Sequence, residues 1–322
     1  MLENNNISSS FIDKTLQLFE YQYFNNIIYR QYCDLLRCNP DNVAGIEELP
    51  FLPISFFKTH KIVSGTFNPQ TVFFSSGTTS MQTSKHYIKD LSLYEQSFTE
   101  SFYHFYGSIE DYTFLALLPN YQENPNSSLI YMIDKMMQLS ASPYNGYFLD
   151  NHQTLLDRLL QLKTAKHKVI LFGVSYALLD FAEHYRLSFP ELIVFETGGM
   201  KGRRKELVKE ELHAILTAAF GVSKIHSEYG MCELLSQAYS NGGNIFYTPP
   251  KMKFLLRDER NPLVHSTILD TGLINVIDLA NEHSCAFIAT EDLGRRHRDG
   301  GMEILGRMDS ADVRGCNLLI GT

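Results

Sequence analysis

A run of hydroxyl-bearing residues and glycine at residues 75–80, Ser-Ser-Gly-Thr-Thr-Ser, is the first part of the chain whose side chains could do chemistry. Such a loop can direct several O–H and backbone N–H donors at phosphate oxygens. Gly77 permits close approach of the backbone, and Lys85 could add positive charge against the same group. The Walker pattern Gly-x-x-x-x-Gly-Lys-Ser/Thr is absent. The spacing indicates a phosphate-binding loop, for which an ordinary surface loop is the alternative.

Two later segments carry further candidate ligands. Residues 225–233 place Tyr229 beside a glycine and Glu233 four residues later. An aromatic ring can stack on a flat base, and a carboxylate can hold Mg²⁺ that bridges phosphates. Asp292 precedes a Leu-Gly turn, and such a carboxylate can accept hydrogen bonds from ribose hydroxyls. Each feature taken alone is more often a core aromatic, a solvated carboxylate or a turn.

The order and spacing of these segments resemble the adenylate-forming superfamily of acyl-CoA ligases, peptide-synthetase adenylation domains and luciferases. This resemblance implies that the chain uses ATP and Mg²⁺, with Glu233 as the metal ligand, Lys85 as a catalytic residue beside the phosphates and Asp309 at the family's hinge. The residues that it assigns to ATP or AMP are Ser75, Ser76, Gly77, Thr78, Thr79, Ser80, Gly198, Gly199, Tyr229, Gly230, Cys232, Asp292 and Arg307.

A narrower resemblance extends over nearly the whole chain. Residues 49–58, 228–237 and 314–318 look like the acyl-protein synthetases of bacterial bioluminescence. That family activates a long-chain fatty acid with ATP and carries the acyl group as a thioester on a cysteine near the C-terminus, before passing it to a reductase. The resemblance therefore implies a fatty-acid substrate, an acceptor such as a reductase or carrier protein, and Cys316 as the nucleophile.

The surroundings of Cys316 in the sequence favour the same role. It lies between Gly315 and Asn317 in a polar terminal segment, which is a poor context for a buried packing residue. Arg307 and Arg314 are close in sequence and could lower the pKa of its thiol. A small buried side chain is the alternative, and it is the interpretation that we favour for Cys33, Cys38 and Cys285.

Two departures from the superfamily pattern leave other functions open. Cys232 stands where Thr or Ser is common, and a thiol in place of a hydroxyl weakens one phosphate contact by about 1 kcal/mol. The chain ends at Thr322, so we expect it to lack the mobile C-terminal domain of typical ligases. An acyl- or aryl-CoA ligase, a non-catalytic adenylate-binding homologue and an ATP-independent acyltransferase remain alternatives.

Composition excludes several classes of protein. The 322 residues are 44% hydrophobic and 20% charged, which is typical of a globular chain. A net charge of -8 argues against nucleic acid or an anionic membrane as the main partner. Five cysteines without a Cys-x-x-Cys pair favour free thiols in a reducing compartment. Because the sequence also lacks a signal peptide and a long apolar run, we expect a cytoplasmic protein without a membrane span.

The elements that must position these residues alternate between strand and helix. This alternation predicts an α/β fold with mixed, mainly parallel sheets flanked by helices, followed from about residue 244 by a small β-rich subdomain. We expect residues 1–243 to form the adenylation core as two packed subdomains, 244–305 the β-rich subdomain, and 306–322 a hinge-like segment and tail. Apolar spacing predicts helices over residues 11–38, 90–106, 129–139, 155–162, 176–185 and 205–219.

Overall fold

The computed structural model of the chain describes residues 7–75, 82–198, 207–258, 265–266 and 269–308. Its helices are α1 Ser9–Asn25, α2 Ile27–Leu35, α3 Phe56–Thr59, α4 Leu91–Tyr106, α5 Ser128–Ser140, α6 His152–Thr164, α7 Ser175–His184 and α8 Lys209–Phe220. Its strands are β1 Leu52–Pro53, β2 Thr71–Phe74, β3 Lys85–Ile88, β4 Tyr112–Leu117, β5 Gly146–Tyr147, β6 Lys168–Val174, β7 Ile193–Thr197, β8 His226–Tyr229, β9 Ala238–Ser240, β10 Ile245–Tyr247, β11 Met252–Arg257, β12 His265–Ser266, β13 Thr271–Asp278, β14 Phe287–Arg296 and β15 Met302–Arg307.

The single helix predicted over residues 11–38 is two helices separated by Asn26. The backbone of Asn26 is extended, with φ -118° and ψ 103°, and its N–H donates to the carbonyl oxygen of Gln22 at the end of α1. Its side-chain oxygen accepts from the N–H of Tyr29 at 3.0 Å. Because asparagine is a strong N-cap residue, it begins the second helix where the apolar spacing alone predicts an unbroken one.

One large mixed sheet runs through the molecule in the strand order β12-β11-β13-β14-β15-β10-β9-β8-β7-β6-β4-β5, and β1 pairs with β14. Strands β4 to β8 are parallel, and α5, α6, α7 and α8 precede or connect them. Parallel neighbours need such crossovers. Among β9 to β15 the neighbouring strands pair antiparallel, and the described residues between them form no helix. The α/β class is confirmed, and the parallel pairing is concentrated in one half of the sheet.

Two hydrophobic clusters fill the interior. The first joins β4, β6 and β7 to α4, α5, α6, α7 and α8. The second packs α1, α2 and residues 43–62 against β11, β13 and β14. The N-terminal helices therefore share a core with strands that follow residue 244, and the boundaries at residues 243 and 305 stay predictions. The apolar side chains Met132, Ile133, Met136 and Met137 of α5 are buried in the first cluster, and Ile130 is buried as well.

The strands β2 and β3 form a separate antiparallel hairpin, in which Phe73 pairs with His86 and Phe74 with Lys85. This hairpin frames the two ends of the hydroxyl-rich loop. Within the described part of the chain, none of the helices combines the length and apolar character that a membrane crossing requires.

Candidate functional site

The β2–β3 hairpin holds the ends of the predicted phosphate loop. The backbone N–H of Ser84 donates to Ser75 Oγ at 2.9 Å, and the N–H of Ser75 donates to the carbonyl oxygen of Ser84 at 3.2 Å. Lys85 follows on β3 with its side chain exposed. The rest of the loop, Ser76, Gly77, Thr78, Thr79 and Ser80, lies outside the described residues, so its phosphate-binding role stays a prediction.

Gly198 lies directly after β7, at the carboxyl end of the parallel strands. Its φ of 70° falls in the left-handed region that favours glycine, and its carbonyl oxygen accepts from Ser175 Oγ at 3.0 Å. Since Glu196 pairs with Ser227 in parallel register, Gly198 comes beside Tyr229 on the next strand. Ligands of open α/β sheets bind outside this edge. Gly199 lies outside the described residues.

Tyr229, Asp292 and Arg307 meet although they are far apart in sequence. The Tyr229 hydroxyl donates to Asp292 Oδ2 at 2.7 Å, and Arg307 Nε lies 3.4 Å from Asp292 Oδ1. The pairing of β14 with β15 sets Asp292 opposite Arg307. Burial and the Asp292 carboxylate raise the pKa of Tyr229 well above its usual value, so the hydroxyl remains a donor. Three predicted nucleotide ligands therefore form one connected unit.

The aromatic ring of Tyr229 is held edge-on by two phenylalanines of the β-rich half. Its centroid lies 5.4 Å from that of Phe254 at 90°, and 6.0 Å from that of Phe246 at 64°. Tyr229 remains half-buried, and Gly230 beside it is exposed. The ring is thus fixed in orientation at an accessible edge, as a stacking platform for a base requires.

His86 connects the hairpin to the segment that carries Glu233, and no local pattern in the sequence indicates this role. The His86 ring donates from Nδ1 to the carbonyl oxygen of Cys232 at 2.7 Å, and Nε2 lies 3.2 Å from Asn281 Oδ1. Asn281 Nδ2 donates to the carbonyl oxygen of Glu233 at 2.8 Å. Burial lowers the pKa of His86 to about 4, despite the opposing effects of both contacts, so the ring is neutral at pH 7.

Asp278 is a second residue that the sequence analysis missed, and it anchors the segment after Glu233. Its Oδ2 accepts from the N–H groups of Leu235 and Ser236 at 2.8 and 3.0 Å, and its Oδ1 accepts from Ser236 Oγ at 2.6 Å. Asp278 has no exposed surface. A buried carboxylate that accepts several hydrogen bonds holds the surrounding backbone rigidly.

The side chains of Cys232 and Glu233 are almost completely buried. Burial raises the pKa of the Cys232 thiol, and the neighbouring Glu233 carboxylate raises it further, so the thiol is neutral. Glu233 is 3% exposed, and no Lys or Arg of the described ranges forms an ion pair with it. Nor do three His, Cys, Asp or Glu side chains of those ranges cluster as a metal site. A lone carboxylate fits Mg²⁺, which takes one or two carboxylates together with substrate phosphates.

Two carboxyl groups on adjacent strands have opposite electrostatic surroundings. Glu196 is 1% exposed, and although burial raises the pKa of its carboxyl, His213, Lys209 and Ser175 lower it by more. Lys209 Nζ lies 2.5 Å from Glu196 Oε2. Burial instead raises the pKa of Glu228 to about 7, with Thr197 lowering it and Glu196 raising it further. Glu196 is therefore the charged member of this pair at neutral pH.

Cys316 lies outside the described residues, so its role as nucleophile stays a prediction. The other cysteines of the described ranges are unpaired, and Cys33 and Cys285 are buried within the second hydrophobic cluster. They are packing residues, as expected. A groove of about 750 Å³ between α1 and α4 contains none of the predicted site residues, and both polar and apolar side chains line it.

Solved structures of adenylate-forming enzymes share this architecture. The chain is similar to 2-hydroxyisobutyryl-CoA ligase in its postadenylation state with 2-HIB-AMP, with a TM-score of 0.65 and 13% identity over 93% of this chain and 67% of that one. It is also similar to ATP-bound MatB from Rhodopseudomonas palustris, with a TM-score of 0.56 and 17% identity over 73% of this chain. The matched region spans 47% of MatB, about half its length. The fold is that of the N-terminal domain of adenylate-forming enzymes.

Similarity in sequence defines the protein family more narrowly than the fold does. The family model described as "Acyl-protein synthetase, LuxE" matches residues 2–322, and the chain belongs to this family. A curated relative, the long-chain-fatty-acid–luciferin-component ligase of Aliivibrio fischeri, is 23% identical over 330 residues, covering 94% of this chain and 85% of the relative. The predicted family, fold class and enzyme class, an AMP-forming acyl-protein synthetase, are confirmed.

Proposed function

We propose that the chain joins a long-chain fatty carboxylate to the α-phosphate of ATP and then transfers the acyl group to its own Cys316. The adenylation step is supported by the unit formed by Tyr229, Asp292 and Arg307. This unit combines a fixed aromatic ring, a carboxylate and a guanidinium at one edge of the sheet. These are the groups that a purine, a ribose and a phosphate require.

In the adenylation step, Tyr229 stacks on adenine and Asp292 accepts from the ribose hydroxyls. Arg307, with 57% of its side chain exposed, is free to turn from Asp292 toward a phosphate. Residues 75–80 and Lys85 bind the departing phosphates, because hydroxyl, N–H and ammonium donors stabilise the charge that develops on their oxygens.

Glu233 would hold Mg²⁺ through its carboxylate oxygens. The cation, when bound, neutralises charge on the phosphate oxygens. The position of Glu233 depends on neighbours that do not touch the ligand, since Asn281 holds its carbonyl oxygen and His86 that of Cys232. These contacts keep the carboxylate oriented while substrates enter and leave.

In the transfer step, the Cys316 thiol gives up its proton to a base, and a sulfur–carbon bond forms between its sulfur and the acyl carbonyl carbon. The bond from that carbon to the phosphate oxygen of AMP breaks, and AMP leaves with the electron pair. The thioester then serves as acyl donor to an acceptor such as a reductase or carrier protein.

Mass spectrometry of the intact protein tests both steps. The protein is incubated with ATP, Mg²⁺ and fatty acids of increasing length, and the native chain is compared with Cys316→Ala and with the control Cys38→Ala. We expect an acyl adduct on the native and Cys38→Ala proteins only, together with ATP–pyrophosphate exchange in all three. An adduct that survives in Cys316→Ala would place the nucleophile elsewhere, and exchange that no fatty acid supports would refute adenylation.

A parallel reaction with free coenzyme A separates this proposal from a CoA ligase. Acyl-CoA that forms faster than the protein adduct would favour the ligase. An adduct that forms without nucleotide would instead favour an acyltransferase that works from acyl donors.

A further inference from the structure

Glu228 is a carboxyl group at the candidate site, and neither the adenylation step nor the transfer step as proposed gives it a role. It lies on β8 immediately before Tyr229, and because neighbouring residues of a strand point to opposite faces, its side chain lies on the face away from the Tyr229 ring. Glu228 Oε2 accepts from Thr197 Oγ1 of β7 at 3.0 Å, and the antiparallel register with β9 sets Tyr239 directly opposite it.

The Glu228 carboxyl reaches the accessible mouth of the site at Gly230. A Cβ atom built on Gly230 would lie 2.2 Å from Glu228 Oε1, so only glycine allows this carboxyl oxygen to lie against the backbone there. Gly230 is exposed and Glu228 is half-buried. The oxygen therefore lies against the exposed backbone of Gly230, close to the strand end outside which ligands of this fold class bind.

The groups around Glu228 keep it available to bind and release a proton. Glu196 faces it from β7 as a negative charge, because His213 and Lys209 lower the pKa of that carboxyl. Tyr94 from α4 and Tyr239 from β9 face it as neutral phenols, since burial raises the pKa of both well above the usual value. No Lys or Arg of the described ranges forms an ion pair with Glu228. Carboxyl groups whose environments separate their pKa values in this way are suited to different roles, one structural and one in proton transfer.

We propose that the Glu228 carboxylate accepts the proton of the thiol that attacks the acyl-adenylate. This inference rests on the proposed function, and it assigns a base to the transfer step, whereas adenylation moves no proton between substrates. As the sulfur–carbon bond forms, the S–H proton passes to a Glu228 oxygen, and the bond between the acyl carbon and the phosphate oxygen breaks with its electron pair leaving on AMP. The protonated carboxyl then returns its proton to water.

The test compares the two half-reactions in Glu228→Gln, which keeps the shape of the side chain but cannot act as a base. ATP–pyrophosphate exchange reports adenylation, and single-turnover formation of the protein thioester reports transfer. We expect the ratio of transfer to exchange to fall by about 10²- to 10⁴-fold, the usual contribution of a general base. Glu110→Gln, at an exposed position of a short 3-10 helix, is the control and keeps the native ratio.

A second variant tests the base through the pH dependence of transfer. The native rate should rise with pH with a midpoint near 7, and this rise should disappear in Glu228→Gln. Thr197→Val removes the hydrogen bond that lowers the pKa of Glu228, so the midpoint should move to higher pH. A midpoint that does not move in Thr197→Val overturns the proposal. So does Glu228→Gln if it slows exchange and transfer equally, or if it leaves the ratio of transfer to exchange unchanged. Failure of the native protein to exchange pyrophosphate would instead refute the proposed function.

Discussion

Replacing His86 with phenylalanine (His86→Phe) removes the ring N–H that donates to the carbonyl oxygen of Cys232 at 2.7 Å. The His86 side chain is 1% exposed, so the carbonyl oxygen that loses its partner stays buried. A buried acceptor without a partner costs about 1–3 kcal/mol. We therefore expect the free energy of unfolding at pH 7, measured by urea denaturation, to be lower in the variant by about this amount.

The same substitution should change how stability depends on pH. Burial lowers the pKa of His86 to about 4 in the folded chain, against about 6.5 for an unfolded histidine. Because the folded pKa is the lower one, the unfolded chain binds more protons between these values, and the native protein loses stability as the pH falls from 6.5 toward 4. From pH 7 to pH 5 this term costs about 2 kcal/mol. Phenylalanine binds no proton, so the difference in unfolding free energy between native and variant should shift by about 2 kcal/mol in favour of the variant.

His226 has a similarly low pKa of about 4, but it is present in both proteins and its effect cancels. His104→Phe is the matched control, because His104 is exposed on α4 and its replacement leaves the contact between His86 and Cys232 in place. Its free energy of unfolding at pH 7 should stay within about 0.5 kcal/mol of the native value. A His86→Phe difference that is constant or larger at pH 5 would show that the buried ring does not titrate as described.

Three further substitutions test the residues around the candidate site. Asp278→Ala should lower the free energy of unfolding by about 3–5 kcal/mol in urea denaturation, because it leaves several buried donors without an acceptor. Gly230→Ala should slow single-turnover formation of the protein thioester, since the added Cβ must displace the Glu228 carboxyl; an unchanged rate of transfer would contradict the close contact. Tyr229→Phe keeps the ring but removes the 2.7 Å hydrogen bond to Asp292, and a charge-assisted bond of about 1.5–3 kcal/mol corresponds to a loss of roughly 10- to 150-fold in kcat/KM for ATP exchange. Exchange kinetics at native level in Tyr229→Phe would show that this bond does not organise the site.

Local patterns were sufficient for most of the helices. The predicted helix over residues 90–106 is α4, Leu91–Tyr106, and the helix predicted over 155–162 is α6, His152–Thr164. Apolar spacing of this kind follows from burial of one face, so it is visible in the sequence wherever the face is continuous. Strands β8 and β9 have four and three residues, contain polar side chains and lack alternation, so no local pattern predicts them.

Contacts between distant segments could not be derived from the same patterns. The hydrogen bond from Tyr229 to Asp292 joins residues 63 positions apart, and the one from His86 to Cys232 spans 146. Each depends on which strands are neighbours and in what register, and a shift of one residue would turn these side chains to the opposite face. The order of the motifs suggested that Tyr229 and Asp292 share a ligand. No local pattern indicated the contact between His86 and Cys232.

The sequence by itself determined which reactive groups the chain contains: a hydroxyl-rich loop, an aromatic ring beside glycine, a carboxylate four residues later and a cysteine in a polar tail. It also determined the alternation of helix and strand, because side-chain type and spacing are local properties. Only the tertiary structure decided which carboxyl groups stay charged. Glu196 and Glu228 have the same side chain, but Lys209 lies against the first while the second is half-buried beside it without a described cation. Protonation depends on burial and on neighbouring charge, and both of these arise only when distant segments pack together.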